Sequence, residues 1–283
     1  MLAAGAALFA IAALTVAIGL PQLADGNPGG VPFGGAAVPI GDREPAADRD
    51  AAADREAVAQ APTGGPPPGE PGAPTPGGDR QVLRLPGPVP QEGTGQFRFA
   101  AGGGPLLGRS GTVLRFRVAV EDGSQEDLDP VISLIDTTLG DPRSWTGDGR
   151  TRMRRVSERE PADFTIYLVT ATLAGRMCLA GGVDITVDGR PYTSCRAPGK
   201  VILNLNRWRQ SVPGYVDGGV PLQNYRQYVI NHEVGHELGH GHEKCPGQGR
   251  PAPVMLQQTL DLRGCVANSW PRLDGRRYAG STS

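Results

Sequence analysis

The stretch Asn231-His232-Glu233-Val234-Gly235-His236-Glu237-Leu238-Gly239-His240-Gly241-His242-Glu243 decides how this chain is read. It holds all 4 histidines of the protein. His232 and His236 are four residues apart, so on a helix they project from one face a turn apart and can aim two ring nitrogens at one ion. A third ligand cannot come from a continuing helix, because His240 would then lie about 12 Å along the axis from His232. Gly239 supplies the break: a residue without Cβ adopts the left-handed conformation that ends a helix and turns the chain back, making His242 the third ligand. His240 is left for a supporting or solvent-facing role. Three neutral imidazoles leave one position of a tetrahedral zinc open to water, the arrangement of catalytic rather than structural sites. Glu233, beside the first ligand, is then placed to act as general base on a zinc-activated water.

Upstream, Leu222, Tyr225, Val229, His232 and His236 form one stripe and Ile230, Val234 and Leu238 another, so the spacing predicts a buried helix from Pro221 to Gly239. Five further elements are expected before it. Gln96–Ala101 and Thr112–Glu121 read as strands, the second alternating Leu114, Phe116, Val118 and Val120 with charged residues. Asp129–Pro130 opens a surface helix in which Val131, Ile135 and Leu139 recur until Gly140. The apolar, β-branched runs Asp163–Thr170 and Lys200–Asn206 suit more buried strands. Cys178, Cys195, Cys245 and Cys265 are an even set without CxxC spacing, which predicts two disulfides made outside the cytoplasm. Three pairings are open, and Cys178 with Cys195 and Cys245 with Cys265 give the shortest loops.

Composition divides the chain into three parts. Residues 21–80 hold 12 Pro, 12 Gly and 12 Ala with a single aromatic, too little apolar bulk to offset ordering entropy, so they are expected to be a disordered linker. Before them, Leu2–Leu20 has no charge and would extend about 28 Å as a helix, enough to span a bilayer. No basic residue precedes it and Gln22 spoils the best cleavage site, which favours an uncleaved transmembrane anchor (1–20) over a removed signal. Residues 81–283 carry every Cys, His and Trp and form one domain. That domain has 20 acids against 24 bases with no concentrated basic stripe, so nucleic acid is not an expected partner.

The string His232-Glu233-x-x-His236-x-x-Gly239-x-x-His242 resembles the extended zinc motif of the metzincin clan of zinc metallopeptidases. Pro253-Val254-Met255 matches the methionine turn that lies beneath the metal in that clan, which implies a floor role for Met255. Glu243 resembles the astacin-like residue after the third histidine, whereas Gln257 stands where astacin-like enzymes have an oxyanion-stabilising tyrosine. Only 28 residues follow Met255, so the C-terminal part is small. More closely, residues 81–271, with Tyr225-Arg226-Gln227-Tyr228 and Pro251-Ala252-Pro253-Val254-Met255, resemble an uncharacterised family of exported zincin-like domains from high-GC Gram-positive bacteria. The resemblance implies an α+β zincin/metzincin-like fold: a mixed twisted sheet, a surface helix, a buried active-site helix and a small part bearing the Met-turn. It also implies an extracytoplasmic zinc endopeptidase, membrane-anchored or secreted, with a protein or peptide substrate. Two alternatives stand beside it: a non-catalytic cell-envelope binding module that keeps the zinc site, and a hydrolase of peptidoglycan stem peptides.

Overall fold

A computed structural model describes residues 81–283; the expected anchor (1–20) and linker (21–80) lie outside the described residues. In chain order the elements are β1 (Phe97–Phe99), β2 (Leu106–Leu107), β3 (Thr112–Glu121), α1 (Leu128–Gly140), a 3-10 turn (Trp145–Asp148), β4 (Thr151–Arg155) and β5 (Phe164–Val169). There follow α2 (Ala171–Ala180), β6 (Thr186–Val187), β7 (Arg190–Pro191), β8 (Cys195–Ala197), β9 (Lys200–Asn204), α3 (Leu205–Gln210), α4 (Pro213–Asp217), α5 (Leu222–Glu237), β10 (Arg272–Leu273) and β11 (Arg276–Arg277). The class is α+β. Among the described residues, no helix is long and apolar enough to cross a membrane.

The main sheet runs β2-β4-β3-β5-β9-β8, with β1 also paired to β3. Its central pairs β4–β3, β3–β5 and β5–β9 are parallel, and its margins β2, β1 and β8 are antiparallel. The central strands are covered on both faces, as parallel strands require. Ile166 and Leu168 of β5 and Val201 and Leu203 of β9 join Val131, Ile135 and Leu139 of α1 and Val229, Ile230 and Val234 of α5 in one core. The alternate residues Val169 and Ile202 turn to a smaller cluster with Ala174 and Cys178 of α2. Glu121, at the end of β3, is fully buried and accepts from the Thr170 backbone N–H and hydroxyl, both at 2.8 Å, so its charge is met by donors at the turn into α2.

Both shortest-loop disulfides are formed, Cys178–Cys195 and Cys245–Cys265, and among the described residues no cysteine is free. Such a pair of bridges fits an oxidising, extracytoplasmic environment. The first ties α2 to the edge strand β8; the second closes the loop that carries Met255.

Candidate metal centre and cleft

Ten of the sixteen residues of α5 are buried, among them the polar Asn231, His232 and Glu233. Asn231 fixes the helix against the rest of the fold. Its side chain accepts from Ser144 Oγ (2.7 Å) and donates to the Ser269 carbonyl (2.9 Å), while its own carbonyl accepts from Trp145 Nε1 (2.8 Å). The helix ends where expected: Gly239 has φ +90°, its N–H donates to the His236 carbonyl, and the His240 N–H reaches back to the Gly235 carbonyl at 3.0 Å. This pair of bonds is the Schellman closure, and it reverses the chain.

The reversal gathers three rings. Nε2 of His236 lies 3.2 Å from Nε2 of His232 and 3.1 Å from Nε2 of His242. His232 donates its Nδ1–H to the Val254 carbonyl and His236 its Nδ1–H to the His240 carbonyl, both at 2.8 Å. Those bonds settle the neutral tautomers, leaving Nε2 of each ring as a lone pair aimed at the other. Two facing lone pairs cannot hydrogen-bond, so the arrangement calls for a cation between them. The separations are close to the roughly 3.4 Å between nitrogens sharing a tetrahedral ion at about 2.1 Å. The residues present therefore fit a divalent metal.

Burial prepares the rings for that role. His232 is pushed down to about 3, chiefly by desolvation, and desolvation also lowers His236 and His242, so all three stay neutral with a lone pair available. Glu233, 5% exposed and without a charged partner, has its carboxyl raised to about 8 by burial in the metal-free protein. A neighbouring cation would favour its ionised form. The three rings and Glu233 open onto a cleft of about 350 Å³, lined also by Thr193, Ser194 and Arg196 around β8, and by Gln257 and Thr259 on the opposite side. Arg196 is held there by an ion pair with Glu237, 2.6 Å long.

Met255 is fully buried beneath α5. Its turn touches two of the three histidine segments at once: the Val254 carbonyl orients His232, and the Met255 carbonyl accepts from the N–H of Glu243, next to His242. Helix and turn approach so closely that a Cβ built on Gly235 would lie 2.5 Å from Met255 Sδ and 2.7 Å from Trp145. Gly235→Ala is accordingly expected to destabilise the fold by about 1–3 kcal/mol through overpacking, read as a lower thermal midpoint. An unchanged midpoint would show that floor and helix are not in contact.

Residues 84–271 match the family model described as "Protein of unknown function (DUF3152)". The chain belongs to this DUF3152 family. No curated protein and no solved structure matches it. Within the DUF3152 region, the structure brings together His232, His236, His242 and Glu233 and puts Gly239 at the helix end, Met255 beneath and Cys245–Cys265 around the turn. His240 contributes through its carbonyl, and its ring stacks on Trp145 with centroids 4.4 Å apart.

Sequence reasoning missed the strap that holds the His242 segment. Glu243, largely buried, binds Arg277 Nη2 at 2.6 Å and the Gly280 N–H at 3.1 Å. Beyond them Lys244 N–H donates to the Ser281 carbonyl and Ser283 N–H to the His242 carbonyl. No local signal announces these contacts, since the partners are 34 or more residues apart. The cleft residues Arg196 and Thr259 were missed as well, because only tertiary packing makes them neighbours of the histidines: Arg196 of β8 pairs with Glu237 at the end of α5, and Thr259, past the Met255 turn, bonds Tyr225 of α5.

Proposed function

We propose that this DUF3152 domain is an extracytoplasmic zinc endopeptidase of metzincin-like build. The observation that carries the reading is the convergence of three imidazole Nε2 atoms, two of them fixed as mutually facing lone pairs, with the buried Glu233 carboxylate in one cleft. An all-imidazole donor set at tetrahedral spacing suits zinc. When bound, that metal polarises a carbonyl and makes water more acidic. The chain's own groups do the remainder. Glu233 takes a proton from the attacking water and returns it to the departing amine nitrogen, so that one peptide bond and one water become a carboxylate and an amine. The edge strand β8 is paired only to β9 among the described residues, so its free side gives an extended peptide a strand to hydrogen-bond alongside the cleft. The two disulfides and the uncharged Leu2–Leu20 segment support placement outside the cytoplasm, anchored or secreted.

The test is to reconstitute the full chain with zinc, measure stoichiometry, and incubate it with a degenerate peptide library followed by mass analysis. One zinc per chain and new peptide termini are expected. Stoichiometric zinc with no cleavage would replace this reading by that of a binding module holding a structural metal.

A further inference from the structure

The fourth histidine belongs to a second concave site. A pocket of about 270 Å³, sharing no lining residue with the cleft, is formed by Trp145, Asp148, Arg150, His240, Arg272 and Arg277. Three guanidiniums around so small a space are electrostatically unfavourable unless something answers their charge. Arg277 is answered by Glu243, at 2.6 Å, and is further fixed by the Pro271 carbonyl. Arg150 and Arg272 form no ion pair with any described residue. Asp148 cannot neutralise both, and its Oδ1 is taken by the backbone N–H groups of Arg150 and Thr151. Arg272 has one side-chain partner among the described residues, the Gly275 carbonyl, to which its Nη2 donates, and that carbonyl carries no countercharge. Two guanidiniums that share a concavity without a carboxylate partner leave their charge for an anion to answer.

We propose that this pocket is a binding site for an oxyanion, a carboxylate or a tetrahedral phosphate or sulfate group. Guanidiniums match such groups because their planar forks present parallel N–H donors to two oxygens at once. The pocket is built in advance for the purpose. Trp145 is held by its indole hydrogen bond to Asn231 and contacts both the His240 ring and the Arg277 guanidinium, which lies 5.0 Å from its centroid, so one wall is rigid. Arg277 is likewise tied in place. Arg150, exposed and lining the same pocket, offers a second fork to the ligand. The proposal does not depend on the metal or on hydrolysis.

The experiment titrates the full chain with inorganic sulfate and, in a separate arm, with acetate, at ionic strength held constant with sodium chloride, following the NMR signals of the Trp145 indole and the His240 ring. Saturable shifts at both are expected. Arg150→Ala should weaken binding about tenfold, as loss of one charge-assisted contact does, and Arg150→Ala with Arg272→Ala should abolish saturation. Tighter sulfate than acetate identifies a tetrahedral group as the natural ligand, and the reverse order identifies a carboxylate. Shifts that never saturate, or saturable binding unchanged in Arg150→Ala and in the double variant, would overturn the site. Because Arg150 is exposed and its side chain makes no hydrogen bond or ion pair with any described residue, its single variant remains informative should Arg272→Ala fail to fold.

Discussion

Glu233→Gln is expected to reduce peptide hydrolysis by about 10²–10⁴-fold while leaving zinc stoichiometry and affinity near those of the parent. The amide keeps the shape of the carboxylate and loses the ability to accept the water's proton and pass it to the amine. Metal retention follows because the three Nε2 atoms and the carbonyls that orient them belong to other residues. Stability should move the other way in the metal-free protein. The folded-state carboxyl is raised from 4.5 to about 8, so its favourable contribution is complete below pH 4.5 and is lost as pH rises toward 8. Glutamine does not titrate, so the variant should gain on the parent across that window and unfold at an equal or higher temperature at pH 7. Hydrolysis surviving intact would remove Glu233 from the chemistry. Loss of zinc together with activity would instead show that the carboxylate supports the metal.

How much of this architecture could be read beforehand depended on whether the determining contacts were local. In α5 they were: histidine spacing, a glycine at the turn and two apolar stripes all lie within one helix and its cap. Strand β3 was legible by alternation, although Ala119 and Glu121 on its other face are also buried, Glu121 against the Thr170 donors at the turn into α2. Strand β4 was not. Its sequence Thr-Arg-Met-Arg-Arg reads as a basic loop, and only its place between β2 and β3, with Met153 fully buried, makes it a strand. Helix α2 buries Ala171, Ala174 and Cys178, a stripe of residues too small to stand out from a loop rich in Gly and Ala. The run expected to continue to Asn206 stops at Asn204, whose side chain accepts from the Asn206 N–H and caps α3, a signal that was present and unused. The Arg277–Ser283 strap around Glu243 had no signal, because its registration is set by tertiary packing alone.

The sharpest separation should come from paired variants of the third and fourth histidines. His242→Ala leaves two nitrogens for the ion, and its zinc affinity should fall by well over the roughly 100-fold that loss of a ligand's supporting partner can cost. His240→Ala should bind zinc within a few-fold of the parent. The reason lies in which atom of residue 240 matters: its main-chain carbonyl accepts from His236 Nδ1, and alanine retains that carbonyl. The backbone itself is fixed by the Gly239 reversal and by the His240 N–H bond to Gly235, neither of which needs the ring. What His240→Ala gives up is the stack on Trp145, about 0.5–1.5 kcal/mol of folding stability. Competition against a chromophoric chelator reads affinity, and thermal denaturation reads folding, so the variants should separate on both axes. His242→Ala should unfold as the metal-free parent does whether or not zinc is added, since it lacks the site through which zinc stabilises the fold. His240→Ala should keep the zinc-dependent rise from a slightly lower start. If His240→Ala lost zinc and His242→Ala held it, the chain would turn back elsewhere than at Gly239, and the three-ring site would have to be rebuilt around a different ligand.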